Sequence, residues 1–586
     1  MNLAIMIVTI IMIAAGLAQA KSMDSPPGDL TVEELIRRKD PSGDDWTSEK
    51  LHEHAKHQLK ELATILTDAD GRANPDLSLF FVPDCKVSDL RPIESATARS
   101  FGKLEVFDAR SGSRPSADTD DVRAALADLM APYGSIGGQR FAFKTLRIAV
   151  DETAGTLSTT MFYQCYGPSG DGVVEQHALW EIDWLIGDDP QHPRIARLVV
   201  RDFTEAHAAS EFFSDRSGAV LHGVRAWREQ LQYGADYWHN RVDTLGGVTV
   251  LGHQGIALGD VNGDGLDDVY VAQSNGMPNL LLIHQEDGTV RNIARESGVD
   301  FLDDTRGVLL IDVDNDGDQD LCAALGSTIL VLANNGSAVF TPLAAIHAPD
   351  DSDYYSLSAV DYDADGDLDL YATRYVVGRY GVSIPIPWHD ANNGPSNHLY
   401  RNDGSGQFTD VTREVGLDVN NRRFSLAAGW VDYDGDGDMD VYVANDFGRN
   451  NLYRNDGGVF TDVAAETGTE DQAAGMGVSW ADYDLDGHID LHVGNMFSSA
   501  GNRIAYQRRF QSDQSAAVQQ AFQRHAWGNS LYRNAGDGTF VDASNMAGIR
   551  MGRWSWGARF VDIDLDGYAD IISPNGVITN SRKDDL

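Results

Sequence analysis

Two hydrophobic rhythms follow one another along the chain. Between residues 47 and 66, Leu51, Ala55, Leu59, Leu62 and Leu66 recur on one helical face, and Val122, Leu126, Leu129 and Met130 repeat the pattern, predicting two amphipathic helices. The period then shortens to two. Ala178, Trp180, Ile182, Trp184 and Ile186 occupy every second position, which predicts a half-buried strand, with companions near residues 141–150, 156–166 and 195–203. Helices followed by an antiparallel sheet make an α+β domain over residues 46–210. Residues 211–237, with Val224, Trp227, Leu231 and Tyr237, read as a helical connector.

From residue 238 onward the apolar runs are short, and six times they are interrupted by the same acidic phrase, D-x-[DN]-x-D-G-x-x-D. The copies are Asp260, Asn262, Asp264 and Asp268; Asp312, Asp314, Asp316 and Asp320; Asp361, Asp363, Asp365 and Asp369; Asp432, Asp434, Asp436 and Asp440; Asp482, Asp484, Asp486 and Asp490; and Asp562, Asp564, Asp566 and Asp570. Oxygen donors at positions 1, 3, 5 and 9 of a loop, with a Gly at position 6 and a backbone carbonyl at position 7, make a cage for a hard cation. Calcium suits it best, because it accepts many oxygens in a flexible geometry whereas magnesium gives up its water reluctantly. Without an ion, carboxylates crowded into one loop repel, so order in the loop is expected to depend on metal. Up to six Ca2+ ions are expected.

An EF-hand loop opens the same way but needs a bidentate Glu at position 12, and position 12 here is Val271, Ala323, Ala372, Val443, Val493 or Ser573. Strand patterns flank each loop instead, as in the Val-Tyr-Val run after Asp268 and again after Asp440. A second phrase, Leu-Tyr-Arg-Asn, follows three of the loops and precedes a Phe-Thr-Asp or Phe-Val-Asp run, at Phe408, Phe460 and Phe540. Its Asn-Asp-Gly and Asn-Ala-Gly sequences read as hairpin turns, so each unit becomes a four-stranded meander. The first aspartates are 49 to 80 residues apart, the size of a propeller blade with occasional insertions. The expected fold is therefore mainly β: a six- or seven-bladed β-propeller with calcium-binding loops over residues 238–586, preceded by the smaller α+β domain. The sixth unit has two strands before the chain stops, and residues 233–250 are expected to supply the strands that close the ring.

The acidic loop with its flanking strands resembles the FG-GAP/VCBS repeat of integrin-α-type β-propellers. The Asn-x-Leu-Tyr-Arg-Asn and Phe-Thr-Asp-Val phrasing is most similar to secreted proteins of the ASPIC/UnbV, or cartilage acidic protein-like, group. That resemblance spans roughly residues 240–580 and implies calcium binding and a role in adhesion or recognition; the C-terminal module of the group is missing or reduced to a stub. The order of elements in the first domain resembles the NTF2-like cone fold. A cone of that kind implies a pocket, with His177, Asp183 and Asp202 as its polar candidates, while Trp180 and Trp184 are assigned to the core.

Composition refines this picture. Residues 1–20 are apolar and uncharged and end in Ala-Gln-Ala, which reads as a signal peptide, followed by a polar linker over residues 21–45. No later stretch is apolar enough to span a bilayer. A secreted, periplasmic or extracellular location follows, where calcium is plentiful enough to fill weak sites. The net charge of −43 excludes nucleic acid as a partner, and the 23 loop carboxylates account for about half of it. Cys85 and Cys165 are candidates for pairing, while Cys322 sits in a blade strand as a small apolar residue.

Two insertions, residues 375–395 and 496–527, fall between the second and third strands of their blades. They carry Arg379, Tyr380, Pro385, Pro387, Trp388 and His389 in one, and Arg503, Arg508, Arg509, Arg524, His525 and Trp527 in the other. Basic and aromatic residues on one face of an acidic protein suggest a protein or glycan partner, against the alternative that they pair locally with surplus carboxylates. The chain has no Gly-x-Ser-x-Gly elbow, His-Glu-x-x-His motif or phosphate loop. A binding, adhesion or scaffold role is the leading reading. The alternative is an extracellular polysaccharide lyase or hydrolase using Arg508, His525, His389 or a channel Asp.

Overall fold

The computed structural model describes residues 46–67, 76–93, 96–101, 103–109, 121–134, 137–170, 172–233, 237–238, 241, 254–375 and 384–575. The signal segment, the linker and most of the proposed closing segment lie outside these residues. The chain divides into two compact units, one reaching Phe213 and including Asn502–Ser512, the other formed by Ser214–Gly501 and the residues from Asp513 onward. Among the described residues, no helix is long and apolar enough to cross a membrane.

In the first unit, helix α1 (Thr47–Thr67) and helix α2 (Val122–Leu129) accompany a seven-stranded sheet. Its long strands are β4 (Arg140–Asp151), β5 (Thr156–Ser169), β6 (Gly172–Leu185) and β7 (Arg194–Ala208). Shorter strands β1 (Phe81–Val87), β2 (Thr97–Phe101) and β3 (Leu104–Asp108) were not expected from the sequence. Strand β7 serves two partners: its first half pairs in parallel with β1 and its second half antiparallel with β3. Asp202, at φ 49°, sits beside the register shift between β6 and β7, and this left-handed residue lets β7 bend between its two partners. Asp202 is thus a bulge residue of β7.

The period-two pattern places Trp180 and Trp184 in the core, each 1% exposed, against α1 residues Leu51, Ala55, Leu59 and Leu62. His177 and Asp183 lie in the other register, partly exposed, with His177 on Glu175 and Asp183 accepting from Ser158. Neither pairs with the buried polar group of this unit, which forms around Glu205. That carboxylate receives Nε and Nη2 of Arg91 at 2.7 and 2.6 Å, His207 at 2.6 Å and Gln176 Nε2 at 2.8 Å. The Gln176 carbonyl accepts from Tyr163 Oη at 2.8 Å. Every member has a partner, so the group specifies the packing without an orphaned charge. Cys85 and Cys165 are separate buried thiols, which overturns their proposed pairing; Cys322 is buried as expected.

The second unit is a succession of antiparallel sheets. The first holds β8 (Ile256–Gly259), β9 (Asp268–Val271), β10 (Leu280–His284) and β11 (Val290–Asn292); the second β12 (Thr305–Ile311), β13 (Asp320–Leu325), β14 (Thr328–Ala333) and β15 (Thr341–His347). The third holds β16 (Tyr354–Val360), β17 (Asp369–Arg374), β18 (His398–Asn402) and β19 (Phe408–Asp410); the fourth β20 (Phe424–Val431), β21 (Asp440–Phe447), β22 (Asn451–Asn455) and β23 (Phe460–Asp462). The fifth holds β24 (Gly475–Ala481), β25 (Asp490–Asn495), β26 (Ser530–Asn534) and β27 (Phe540–Asp542), and the last is the pair β28 (Arg559–Val561) and β29 (Asp570–Ile572). The first five sheets are the expected four-stranded meanders, and both insertions leave from the end of a second strand.

Neighbouring sheets meet through their first strands, β8 with β12, β12 with β16, and so on to β28. Small residues make this approach possible. A Cβ on Gly307 would stand 2.7 Å from the Leu357 amide nitrogen, and one on Gly477 3.1 Å from that of Ala558. Outside the glycines, Tyr270, Leu281, Leu310, Leu321 and Phe340 fill the layer between the first two sheets, and Tyr371, Leu399, Val441 and Tyr453 that between the third and fourth. The connector supplies Val224, Ala226 and Trp227 to the opposite face of the first sheet, against Val269, Val271, Leu280 and Leu282.

The Glu205 group carries a pH signature. Burial alone would raise its pKa, but the bonds from Arg91, His207 and Gln176 outweigh burial and hold it down at about 2, against 4.5 for a free Glu. A depressed carboxylate stabilises the folded state above its unfolded value and loses that contribution as pH falls toward the folded one. Unfolding of the first unit, followed by fluorescence of Trp180 and Trp184, is therefore expected to become easier between about pH 4.5 and pH 2. In Glu205→Gln that pH-dependent part should vanish, with a loss at neutral pH of roughly 3 kcal/mol.

Candidate metal centres

Every acidic phrase lies in the hairpin between the first and second strands of its sheet, and each carboxylate has a separate duty in winding it. The aspartate at position 1 accepts backbone amides from across the turn. Asp432 Oδ1 receives Gly435 and Asp436 at 2.7 and 3.1 Å and its Oδ2 receives Gly437 at 3.0 Å, and Asp260 repeats this with Gly263, Asp264 and Gly265. The aspartate at position 5 accepts the amide of position 7, as Asp316 does from Asp318 at 3.0 Å and Asp486 from His488 at 3.0 Å. These amides offset part of the repulsion between the carboxylates. Position 6 turns with φ between 85° and 97°, a conformation that favours Gly. Position 4 is also left-handed, which the sequence reading missed because Asn315, Ala364, Leu485 and Leu565 occupy it beside Gly263 and Gly435.

Position 9 does more than complete a cage. Asp268, Asp320, Asp369, Asp440 and Asp490 are fully buried, and both oxygens of each accept backbone amides. In Asp440, Oδ2 receives Tyr433 of its own loop at 3.1 Å and Oδ1 receives Asn455 at the end of the third strand at 2.8 Å. The side chain of that same asparagine then donates to Tyr362 O, position 2 of the preceding loop, at 2.9 Å. Asn334 bonds Val261 O, Asn402 bonds Val313 O and Asn534 bonds Tyr433 O in the same way, at 2.8, 2.8 and 3.0 Å. The last Asn of the repeated Leu-Tyr-Arg-Asn phrase is thus a staple between consecutive loops, a role its hairpin reading concealed. Asp570 is the exception, exposed and held by Ile563 alone among the described residues.

Three carboxylates converge in each of five loops, with oxygens within 4.8 Å of one another. They are Asp312, Asp314 and Asp316; Asp361, Asp363 and Asp365; Asp432, Asp434 and Asp440; Asp482, Asp484 and Asp490; and Asp562, Asp564 and Asp566. In the first loop Asn262 takes position 3, and its amide donates to Asp264 at 3.1 Å. Among the described residues, buried oxygens without a hydrogen-bond partner remain on Asp312, Asp314 and Asp363. Burial, with the neighbouring carboxylates adding to it, pushes Asp314, Asp363 and Asp434 upward, and position 9 to about 6 in Asp320 and Asp490 and about 7 in Asp369 and Asp440. Such groups are poised to be neutralised by a cation, and their donor set is all oxygen.

Arg503 and Arg524 of the second insertion are paired with carboxylates from elsewhere in the chain. Arg524, at the end of a helix over Ala516–His525, binds the buried Asp471 at 2.7 and 3.1 Å. Arg503 pairs bidentately with Glu49, and Arg509 stacks over Trp46, both within the first unit. Trp388 meets the ring of His525 at 5.7 Å and His389 meets Phe522 at 5.9 Å, so the insertions touch each other. The His525 imidazole is enclosed by Trp388 and Phe447, 8% exposed and pushed down to about 4 by burial, which gives the hydrolase reading no support. Arg508 is exposed; Arg379 and Tyr380 lie outside the described residues. Trp554 and Trp556 pack with Tyr355, Leu426 and Met476 at the ends of the first strands.

The asparagine staple makes a direct prediction. Asn455→Ala leaves Tyr362 O and Met439 O without its amide, so global stability should fall by about 1–3 kcal/mol in urea melts, while the exposed Asn545→Ala should change little.

A family model for the FG-GAP-like repeat matches residues 260–323, 312–372, 388–443, 432–493 and 520–573. Cartilage acidic protein 1 of Xenopus tropicalis is 30% identical over 132 residues, covering 22% of this chain and 20% of that protein. The chain thus matches about a fifth of the length of this relative. Among solved structures, an Agrocybe aegerita lectin that recognises non-reducing terminal N-acetylglucosamine aligns at TM-score 0.33 and 17% identity, over 54% of this chain and 74% of the lectin. BBS1N, solved in complex with ARL6DN, aligns at TM-score 0.27 and 14% identity, over 41% of this chain and 62% of that one. Both TM-scores lie below the level of a shared fold. The repeats themselves, in sequence and in their strand-loop-strand build, relate this chain to the FG-GAP repeat family.

Proposed function

We propose that the chain is a secreted calcium-binding β-propeller that serves as a binding or scaffold protein for a protein or glycan partner. The observation that carries the calcium assignment is the set of buried, unpartnered carboxylate oxygens on Asp312, Asp314 and Asp363, inside loops where Asp312 Oδ2, Asp316 Oδ1 and both oxygens of Asp361 accept backbone amides. A bare buried carboxylate is costly, and a hard cation with high coordination number resolves several at once. Positions 1, 3, 5 and 9 of each loop hold the ion in this reading, Asn262 standing in at position 3 of the first. Consecutive loops are stapled to one another, so an ion in one loop also braces its neighbours, and the sheets become a stiff platform. Relationship to cartilage acidic protein 1 supports an extracellular binding role, and the touching insertions offer the most elaborated surface for a partner.

Calcium titration by calorimetry should reveal at least about four sites per chain, and fewer would end the ligand assignment. EDTA should lower the melting temperature and excess calcium restore it, since each filled site adds about 2.7 kcal/mol at a hundredfold excess over Kd. Asp436→Ala should remove one bound ion and leave the others in place, as counted by native mass spectrometry. Glycan and protein arrays probed in calcium buffer should give signals that EDTA abolishes; binding indifferent to calcium would separate recognition from the propeller.

A further inference from the structure

The third sheet departs from its sisters at one point. In the fourth sheet the residue opening the third strand is Asn451, whose amide donates to Asp462 Oδ2 at 2.8 Å; in the third sheet that place is taken by His398, which meets Asp410 Oδ2 through Nδ1 at 2.9 Å. The imidazole gains what the amide lacks, a second nitrogen. His398 Nε2 lies 3.3 Å from Ser396 Oγ, and the corresponding position in the fourth sheet is Arg449. Ser396, His398 and Asp410 line one cavity of about 730 Å³ with Thr412, Glu414 and Asp418.

The surroundings fix the proton. Arg374 Nη1 also approaches His398 Nε2, at 3.3 Å, and a guanidinium only donates, so Nε2 carries its lone pair and the ring proton stays on Nδ1, facing Asp410. The charge of Arg374 is matched by its ion pair with Asp350. Burial works against ionisation of Asp410, but hydrogen bonds from His398 and Thr412 hold it at about 2, leaving a carboxylate to orient the ring. We propose that Ser396, His398 and Asp410 form a nucleophile, base and orienting group that cleaves small uncharged esters. A hydroxyl within reach of a base, itself aimed by a third group, is the arrangement that nucleophilic acyl transfer needs.

The chemistry balances with water as the second substrate. Arg374 Nη1 must first release Nε2, keeping its other acceptor, Ser396 O, at 3.5 Å; Ser396 Oγ then attacks the ester carbonyl carbon while its proton passes to His398 Nε2, and Asp410 stabilises the imidazolium. The carbon–oxygen bond to the alcohol breaks, the alcohol taking the proton from Nε2. Water then attacks the acyl-serine, giving its proton to Nε2, and the proton returns to Oγ as the carboxylic acid leaves. Arg413 at the cavity wall offsets Asp418 at 4.0 Å, and the remaining charge of Glu414 and Asp410 disfavours anionic esters.

The sister sheet supplies the control. His398→Asn restores the side chain found at Asn451, so it keeps the bond to the aspartate while removing the base together with its contacts to Arg374 and Tyr400. The full chain in calcium buffer should hydrolyse p-nitrophenyl acetate above the buffer rate and be labelled by a fluorophosphonate at Ser396, read by peptide mass spectrometry. Both Ser396→Ala and His398→Asn should lower hydrolysis by about 100-fold or more, Ser396→Ala with an unchanged melting temperature and both with cooperative unfolding retained at the assay temperature. Labelling at another residue, a wild-type rate equal to buffer, or full activity in His398→Asn would each overturn the proposal. Calcium titration of the same variants reports separately on the metal loops.

Discussion

A buried aspartate at the end of five of the six acidic loops organises the second unit. Its carboxylate ties the amide of loop position 2 to the amide that ends the third strand, joining three segments of one sheet at a single charged group. A lone buried carboxylate is unstable, so the fold surrounds it with donors, yet burial, with the neighbouring carboxylates adding to it, still pushes its pKa up to about 7 in Asp369 and Asp440. The same pressure that shapes the loop as a turn shapes it as a receptor for positive charge. Architecture and candidate metal chemistry therefore share one set of atoms.

Stapling carries that local device across the unit. Because Asn334, Asn402, Asn455 and Asn534 each bridge from their own sheet to the loop of the sheet before, the acidic hairpins form a continuous seam. At the other end of the first strands, Tyr355, Leu426, Met476, Trp554 and Trp556 make an apolar cluster. Charge at one end and apolar packing at the other hold neighbouring sheets together, with glycines between them where backbones come closest. Variation is left to the insertions and to side chains such as His398 that replace a repeat residue without disturbing its structural bond.

The two units solve the burial of charge differently. Glu205 in the first is saturated by Arg91, His207 and Gln176 and needs nothing more, so its carboxylate stays ionised in the core. The loop carboxylates of the second unit retain unpartnered oxygens, and that deficit distinguishes a receptive site from a structural one. Basic residues in the insertions belong to the first kind. Arg503 and Arg524 read in the sequence as a cationic surface, but each is consumed by a carboxylate far away in the chain, Glu49 and Asp471.

How far the sequence reaches follows from the range of the interactions involved. Local periodicity determined α1, α2 and the long strands of the first unit, and repetition determined the meanders, because each depends on residues close together in the chain. The gathering of the loop carboxylates was legible for the same reason: Asp312, Asp314 and Asp316 are brought together by a turn of their own making. The split pairing of β7 with β1 and β3, the bulge at Asp202 and the separation of Cys85 from Cys165 were decided by contacts between distant segments. So were the second role of the position 9 aspartates and the asparagine staples, whereas Ser396, His398 and Asp410 meet within the single β18–β19 hairpin. Spacing in a chain records which residues a turn can gather, whereas a buried charge finds its partner only when separate strands are packed around it.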